Sequence, residues 1–504
     1  MSAYSQATVE AVKELLDIGI ALSAEKSHKK LFERILSEAR RITQCDAGTL
    51  FLVENERLAF KIIQNDKLNI YQGGLGEKID LPPVDIDPTT VAGYCALNKK
   101  VLNIPDVYAV KQNGIDFSGP RRYDSITGYH TKSMLVVPLE DNDGDIIGVL
   151  QLLNAQDEEG QVIAFAHYIE QVVCSIASQA AVAISNMRYV KELDDMLHAF
   201  VRVISTAIDE RSPYNANHTR NMTRRAGSFA RYLKKQGIAA ELSDEVIEQL
   251  IMSSWLHDIG KIAIPLEVMD KPTRLSGHEE LLYCRLMAIR EQRKVQAIKT
   301  AMKGDQLQTA EGIAAFWKEV ADIEADMDNV NDFLALVNNP ATVVDAPMQQ
   351  KITELAARTW SRSSDQEEEP WFLPVEAEAL MVRRGTLTEN ERHTIENHVG
   401  ITRKMLDQIP FGAKYYPVPG WACAHHELLD GSGYPRKLKA DELPLPVRIL
   451  TIMDIYDALT ACDRPYRRAL LPEKAFAILG EMAGAGKLDA ELVNCFQESK
   501  IWVE

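Results

Sequence analysis

Apolar residues recur at helical spacing along the first 45 residues, at Val9, Val12, Leu15, Leu16 and Ile20 and again at Leu31, Ile35, Ala39 and Ile42. The spacing predicts two amphipathic helices. The pattern then shortens to that of strands. Residues 49–53 and 58–63 flank the polar turn Glu54-Asn55-Glu56. Residues 134–139 and 146–153 flank Asp143-Gly144, a strong hairpin signal. A short helix over 89–97 and a strand over 101–104 complete an α+β module with an antiparallel sheet.

From residue 162 to about 208 the helical pattern is continuous, with no Pro or Gly between Gly160 and Pro213. Val172, Ile176, Ala180, Ala183, Met187, Val190, Leu193 and Leu197 keep a 3–4 spacing. That spacing suits a seam against a partner helix, often a parallel coiled coil. The remainder reads as all-α. Residues 276–383 are helical and charged, with an acidic run from Asp365 to Glu369 and no dense cluster of metal-ligating residue types. They are expected to form an inserted helical subdomain. The domain plan is an α+β module over 1–160, a connecting helix over 161–208, and an all-α domain over 209–504 interrupted at 276–383.

Composition narrows this picture only slightly. The chain has 504 residues, 46% hydrophobic and 26% charged, as in ordinary globular proteins. We find no run of 18 uncharged apolar residues and no signal-peptide order at the N-terminus, so a cytoplasmic location without membrane contact is expected. A net charge of −17 with no offsetting basic stripe argues against binding nucleic-acid polymers. The 7 cysteines show no CxxC spacing, which argues against a disulfide framework or a thiolate zinc site.

The chemistry concentrates in the C-terminal half. His425-His426 precede the Gly-rich turn Gly431-Ser432-Gly433-Tyr434-Pro435, and far upstream stands His257-Asp258-Ile259-Gly260-Lys261. Neighbouring helical side chains point about 100° apart, so an adjacent pair does not readily chelate one ion. Two such pairs could serve two ions held side by side. With His398 and Asp454 the candidate set is His257, Asp258, His398, His425, His426 and Asp454, an N/O set without sulfur. It suits iron, manganese, nickel or zinc. A hydroxide bridging two such ions would be the nucleophile for a phosphodiester, so no Ser or Cys nucleophile is needed. Lys261 is placed to neutralise a phosphate oxygen or protonate the leaving oxygen. Tyr434 and Arg436 are candidate substrate contacts.

These motifs resemble the HD-GYP family of metal-dependent hydrolases. The segments HDIGKIAIP, KPTRL, GTLTENERHTIENHV, HHELLDGSGYP and LPLPVRILTIMDIYDALTACDRPYR stand in family order. The resemblance implies an all-helical phosphodiesterase that opens cyclic di-GMP to linear pGpG and in some members on to GMP. It also implies two divalent ions, usually iron or manganese, held by the six residues just named, with Lys261 as the phosphate contact. Upstream, Ser212-Pro213-Tyr214-Asn215-Ala216-Asn217-His218 departs from the family's usual run, although His218 fits its upstream histidine. His218 is therefore a candidate substrate contact, or with Asp209 a contributor to a third ion. The insertion after Leu275 opens a link that is short in the family. Other cyclic dinucleotides such as cyclic GMP-AMP, or a non-catalytic binding role, are the alternative readings.

The N-terminal module is similar in pattern to a GAF domain, a small-ligand sensing fold. Asn154, Phe165 and Glu170 align with the signature of cyclic-nucleotide-binding members, but Ala155 and Ile169 replace its Lys and Asp. The resemblance implies an unspecified small ligand there, and a homodimer through this domain and the connecting helix.

Overall fold

The computed structural model describes residues 6–25, 27–109, 117–211, 217–304, 306–361, 367–461 and 469–503. The chain divides into two compact units, residues 1–196 and 197–504.

In the first unit, helices α1 (Gln6–Ala24) and α2 (His28–Thr43) precede strands β1 (Cys45–Glu54), β2 (Arg57–Asn65), β3 (Ile70–Gly73) and β4 (Val84–Asp85). Helix α3 (Val91–Asn98), strand β5 (Leu102–Ile104) and helix α4 (Ser118–Thr127) follow, then strands β6 (Met134–Glu140), β7 (Ile146–Gln156) and β8 (Val162–Ile163). The antiparallel sheet runs β3-β2-β1-β7-β6-β5. Its first hairpin closes through Asn55 and Glu56, both at positive φ (49° and 62°), with Glu54 paired to Arg57. That is the twist-matched two-residue turn. Around Asp143-Gly144 the loop is longer, because Glu140 pairs with Ile146 and Asp141 accepts the N–H groups of Asp143 and Asp145.

Alternation along the strands serves two cores. Leu50, Leu52, Ile62, Leu150 and Leu152 pack against Leu31, Ile35 and Ala39 of α2. Phe51, Met134, Val136 and Val149 pack against Val91, Ala92 and Cys95 of α3. Helix α1 buries Ile18 and Leu22, while Leu16 and Ile20, expected on its inner face, are exposed.

Helix α5 runs unbroken from His167 to Asp209. Its Val173, Ala177, Ala180, Ala181 and Ile184 belong to the core of the first unit, and Ile176 is fully buried. The seam expected through Ile176 and Ala180 therefore faces the domain's own sheet, not a partner. Exposed apolar residues run along the helix, at Tyr168, Val182, Tyr189, Val190, Leu193, Met196, Phe200 and Val203. One 18-residue window of α5 reaches a mean hydropathy of 1.2, and 44% of it is buried inside the protein. A core helix passes the same length and composition test as a membrane span.

The second unit is helical. Helices α6 (His218–Lys235) and α7 (Asp244–Leu256), a 3₁₀ turn over Ile259–Ala263, and α8 (Leu266–Met269) come first. The insertion holds α9 (Glu279–Lys303), α10 (Ala310–Asn338), α11 (Ala346–Ala356) and α12 (Pro374–Leu380), with the small strand pair Thr359–Trp360 and Glu369–Pro370. Leu282, Leu286, Ile289, Met327, Leu334 and Phe372 give it a core of its own. Arg274, fully buried, ties its ends together by donating to the carbonyls of Val337, Asn339, Thr342 and Val382 at 2.6–2.9 Å. The chain continues through α13 (Glu389–Glu396), α14 (His398–Leu406), α15 (Gly412–Tyr415), α16 (Val418–Ala422), α17 (Leu445–Thr460), α18 (Pro472–Gly484) and α19 (Ala490–Ser499). Residues 212–216 of the upstream motif and 462–468 of the last one lie outside the described residues.

Candidate metal centre

Three histidines reach one pocket by the same local device. His257 caps α7, His398 opens α14 just after α13 ends, and His425 follows α16. At the end of a helix the last carbonyls have no partner within the helix. Each imidazole Nδ1 donates to the carbonyl three residues before it: Ser254 at 2.8 Å, Ile395 at 2.6 Å and Ala422 at 2.6 Å. That bond sets the tautomer and leaves each Nε2 lone pair free to ligate.

The Nε2 atoms converge on Asp258. Its Oδ1 lies 3.2 Å from His398 and 3.8 Å from His425, and its Oδ2 lies 3.0 Å from His257. Asp454 from α17 stands opposite, with Oδ1 4.0 Å from His257 and Oδ2 3.7 Å from His426 Nδ1. Three overlapping groups have ligand atoms mutually within 4.8 Å: His398-His425-His426, His218-His257-Asp454 and His257-Asp258-His425. His218 Nε2 sits 3.2 Å from Asp454 and 3.7 Å from Asp258, so it joins the cluster itself. Asp209 lies beside it, accepting from Thr219 Oγ1 at 2.8 Å.

The residues present fit a metal. Among the described residues His257 Nε2 and Asp258 Oδ1 are buried without a hydrogen-bond partner, which is costly unless a cation supplies one. Burial, then His426 and His257, holds the His425 imidazole well below its usual pKa. Burial likewise lowers His426 to about 4. Both are neutral, the form that ligates. Burial opposes ionisation of Asp258, but His257 and Lys261 outweigh it, and the carboxylate stays charged. Burial also opposes protonation of His218, yet hydrogen bonds to Asp454 and Asp457 carry its pKa up to about 10. None of the three ligand groups among the described residues includes a cysteine, and burial pushes the Cys423 thiol up to about 12.

Close packing explains the glycines of both motifs. A Cβ on Gly260 would stand 2.0 Å from the His398 carbonyl oxygen and 2.6 Å from Thr402 N. The vacancy lets the first motif press against α14. A Cβ on Gly433 would stand 2.5 Å from His426 O and Leu428 N, so the turn folds directly over the paired histidines. Tyr434 then lies over His426, with ring centroids 4.7 Å apart, and the Tyr434-Pro435 bond is cis. Lys261 Nζ meets Asp258 Oδ2 at 2.5 Å. The Arg436 side chain is exposed, and it is the backbone N–H of Arg436 that binds, donating to Glu427 Oε1 at 2.7 Å.

Two residues of the site escaped the sequence reading. Asp457 accepts from His218 Nδ1 at 2.7 Å and from Arg225. Its spacing of three from Asp454 on one helix was the available signal. Glu427, 1% exposed, accepts the N–H groups of Arg436 and Leu438 and pins the turn. Its place directly after the paired histidines was the only sequence hint.

Comparison with known proteins agrees with this division of the chain. The family model described as "GAF domain" matches residues 27–184, and that described as "HD domain" matches residues 370–492. The chain carries a GAF domain and an HD domain. The HD-domain match takes in His398, His425, His426 and Asp454. This GAF–HD chain is 41% identical over 103 residues to 3'3'-cGAMP-specific phosphodiesterase 3 of Vibrio cholerae, across 20% of this chain and 22% of that protein. It is 38% identical over 117 residues to 3'3'-cGAMP-specific phosphodiesterase 1 of the same organism, across 23% and 26%. It is 34% identical over 112 residues to the cyclic di-GMP phosphodiesterase response regulator RpfG of Xanthomonas campestris, across 21% and 28%. The chain thus spans about a quarter of the length of these relatives.

In the GAF domain the aligned signature residues do structural work. Asn154, at φ 56°, accepts from Lys132 N and Ser133 N and donates to Tyr129 Oη and the His130 carbonyl. It staples the chain before β6 to β7. Phe165 is buried among the helices, and Glu170 accepts from Asn103 Nδ2 at 3.1 Å.

Proposed function

We propose that this chain is a divalent-metal-dependent phosphodiesterase acting on cyclic dinucleotides, with cyclic di-GMP as substrate and linear pGpG as first product. The observation that supports it is the convergence of histidine Nε2 atoms and two carboxylates, with His257 Nε2 and Asp258 Oδ1 buried and unpaired among the described residues. His257, Asp258, His398, His425, His426 and Asp454 hold two ions, and His218 joins a third site with His257 and Asp454 once its Nε2 proton is displaced by an incoming ion. Iron or manganese suits the sulfur-free set. The chemistry supplied by such ions is neutralisation of phosphodiester charge and acidification of a water. The chain's own groups do the rest. Lys261, its side chain 20% exposed, lies at the rim of the pocket and moves from Asp258 to a substrate phosphate oxygen. Tyr434 and the half-buried His426 form the wall over which a base lies.

A second reading, 3'3'-cGAMP as substrate, is favoured by the names of the relatives that share 41% and 38% identity. The GAF domain binds a small ligand and regulates the HD domain. The protein is a cytoplasmic homodimer whose seam uses Val182, Tyr189, Leu193 and Met196, apolar, exposed and separated by whole or half heptads.

Protein purified without oxygen, with iron or manganese supplied, should hold metal and linearise one or both dinucleotides, and a chelator should abolish turnover. Protein that takes up less than one metal per chain under these supplemented conditions and leaves both substrates intact overturns the proposal. Tight binding without product in the metal-loaded protein would mark a non-catalytic effector instead.

A further inference from the structure

A cavity of about 530 Å³ opens in the GAF domain on the sheet face away from α2 and α5. Its size falls in the range of small-molecule sites. Phe51, Phe60, Ile63, Ile70, Met134 and Leu153 make its walls mainly apolar. None of the described lining residues is Lys, Arg, His, Asp or Glu.

Several of the polar lining groups are already committed to the protein. Gln64 binds Arg40 and Ser37, Thr90 caps α3, Thr127 bonds the Tyr123 carbonyl, and Thr131 bonds Asp124. Four others, Thr49, Gln72, Tyr123 and Gln151, make no side-chain hydrogen bond among the described residues. Three of these share one row of the sheet. Gln151 pairs with Thr49, Thr49 with Ile63, and Ile63 with Gln72. Directly paired residues point to the same face, so an amide stands at each end of the row with a hydroxyl between. The two glutamines are three strand spacings apart, about 14 Å at roughly 4.8 Å each.

We propose that this cavity binds an uncharged, mainly apolar small molecule that hydrogen-bonds to Gln72, Gln151 and Thr49, and that it does not accept a cyclic nucleotide. The inference deepens the reading of the GAF domain as a small-ligand sensor and rests on it. A cyclic nucleotide brings a phosphate charge, and burying an unpaired charge in an apolar cavity is strongly unfavourable. A neutral ligand gains from the apolar walls and satisfies the free amides, which fix its orientation. The Asn154 position, aligned with the nucleotide-binding signature, is consumed in stapling the fold.

The test uses the full chain and the neutral fluorescent probe N-phenyl-1-naphthylamine. Saturable binding is expected, undisturbed by millimolar cyclic GMP or cyclic AMP. Gly119 lines the cavity and a Cβ there meets nothing within 4 Å, so Gly119→Trp is the variant chosen to fill the site. It should weaken the probe by roughly tenfold or more, with the melting temperature unchanged. Thr49→Trp, from the floor, should do the same. Displacement of the probe by either cyclic nucleotide overturns the proposal, as does equal binding in both Trp variants. If the probe fails and a cyclic nucleotide binds, the proposal is overturned while the small-ligand sensor reading stands. If nothing binds, the sensor reading falls with it. Phosphodiesterase activity does not enter the measurement.

Discussion

Asp457→Asn is the sharpest probe of how the metal centre is held. Both carboxylate oxygens of Asp457 are in use: Oδ2 receives His218 Nδ1 at 2.7 Å and Oδ1 receives Arg225. Asparagine keeps the shape but offers one acceptor, so its amide N–H₂ must face one of two donors. A hydrogen bond to a charged partner is worth about 1.5–3 kcal/mol, and loss of such an outer partner commonly lowers metal affinity about 10–100-fold. Competition against a graded chelator should therefore show a drop of that size, with the helical content unchanged. If Asp457 acts through His218, the double variant His218→Ala/Asp457→Asn should bind metal no more weakly than His218→Ala alone. Unchanged affinity in the single variant, or additive losses in the double, would refute the positioning role.

Two further outcomes test the scaffold. Arg274→Met removes the donors that serve four carbonyls at the base of the insertion, each buried acceptor costing about 1–3 kcal/mol when orphaned. Amide exchange across 279–380 should speed up while metal content persists, and unchanged exchange would discount Arg274 as the tie. Glu391 supplies an acid-side test: burial opposes its ionisation, but Lys271 and the Thr388 N–H hold its pKa below the ordinary 4.5. A carboxylate depressed by folding contributes stability that is fully present above the unfolded pKa and is lost as pH falls through the folded one. The native protein should thus lose more stability than Glu391→Gln between about pH 5 and about pH 3 in urea titrations. Parallel curves would show the Lys271 pair to be idle.

Much of the candidate centre was legible because ligand chemistry is a property of residue types. His257-Asp258, His398, His425-His426 and Asp454 stand out in an N/O set, and local helix ends aim the histidines, since each Nδ1 needs only a carbonyl three residues away. The strand alternation that serves two cores, and the turn at Asn55-Glu56, are local as well. What the sequence alone determined was therefore the inventory: an α+β module, a long helix, a helical domain and a set of candidate metal-ligating side chains. The tertiary structure decided everything that depends on which surface meets which. Apolar spacing along α5 could not distinguish a partner's helix from its own sheet, and packing placed Ile176 and Ala180 inward and Leu193 and Met196 outward. Asp457 gained its role only when α17 met His218 across more than 200 residues of chain. Asn154 became a staple and the cavity walls stayed neutral for the same reason. A contact between distant segments is set by packing of the whole fold, and no local pattern encodes it.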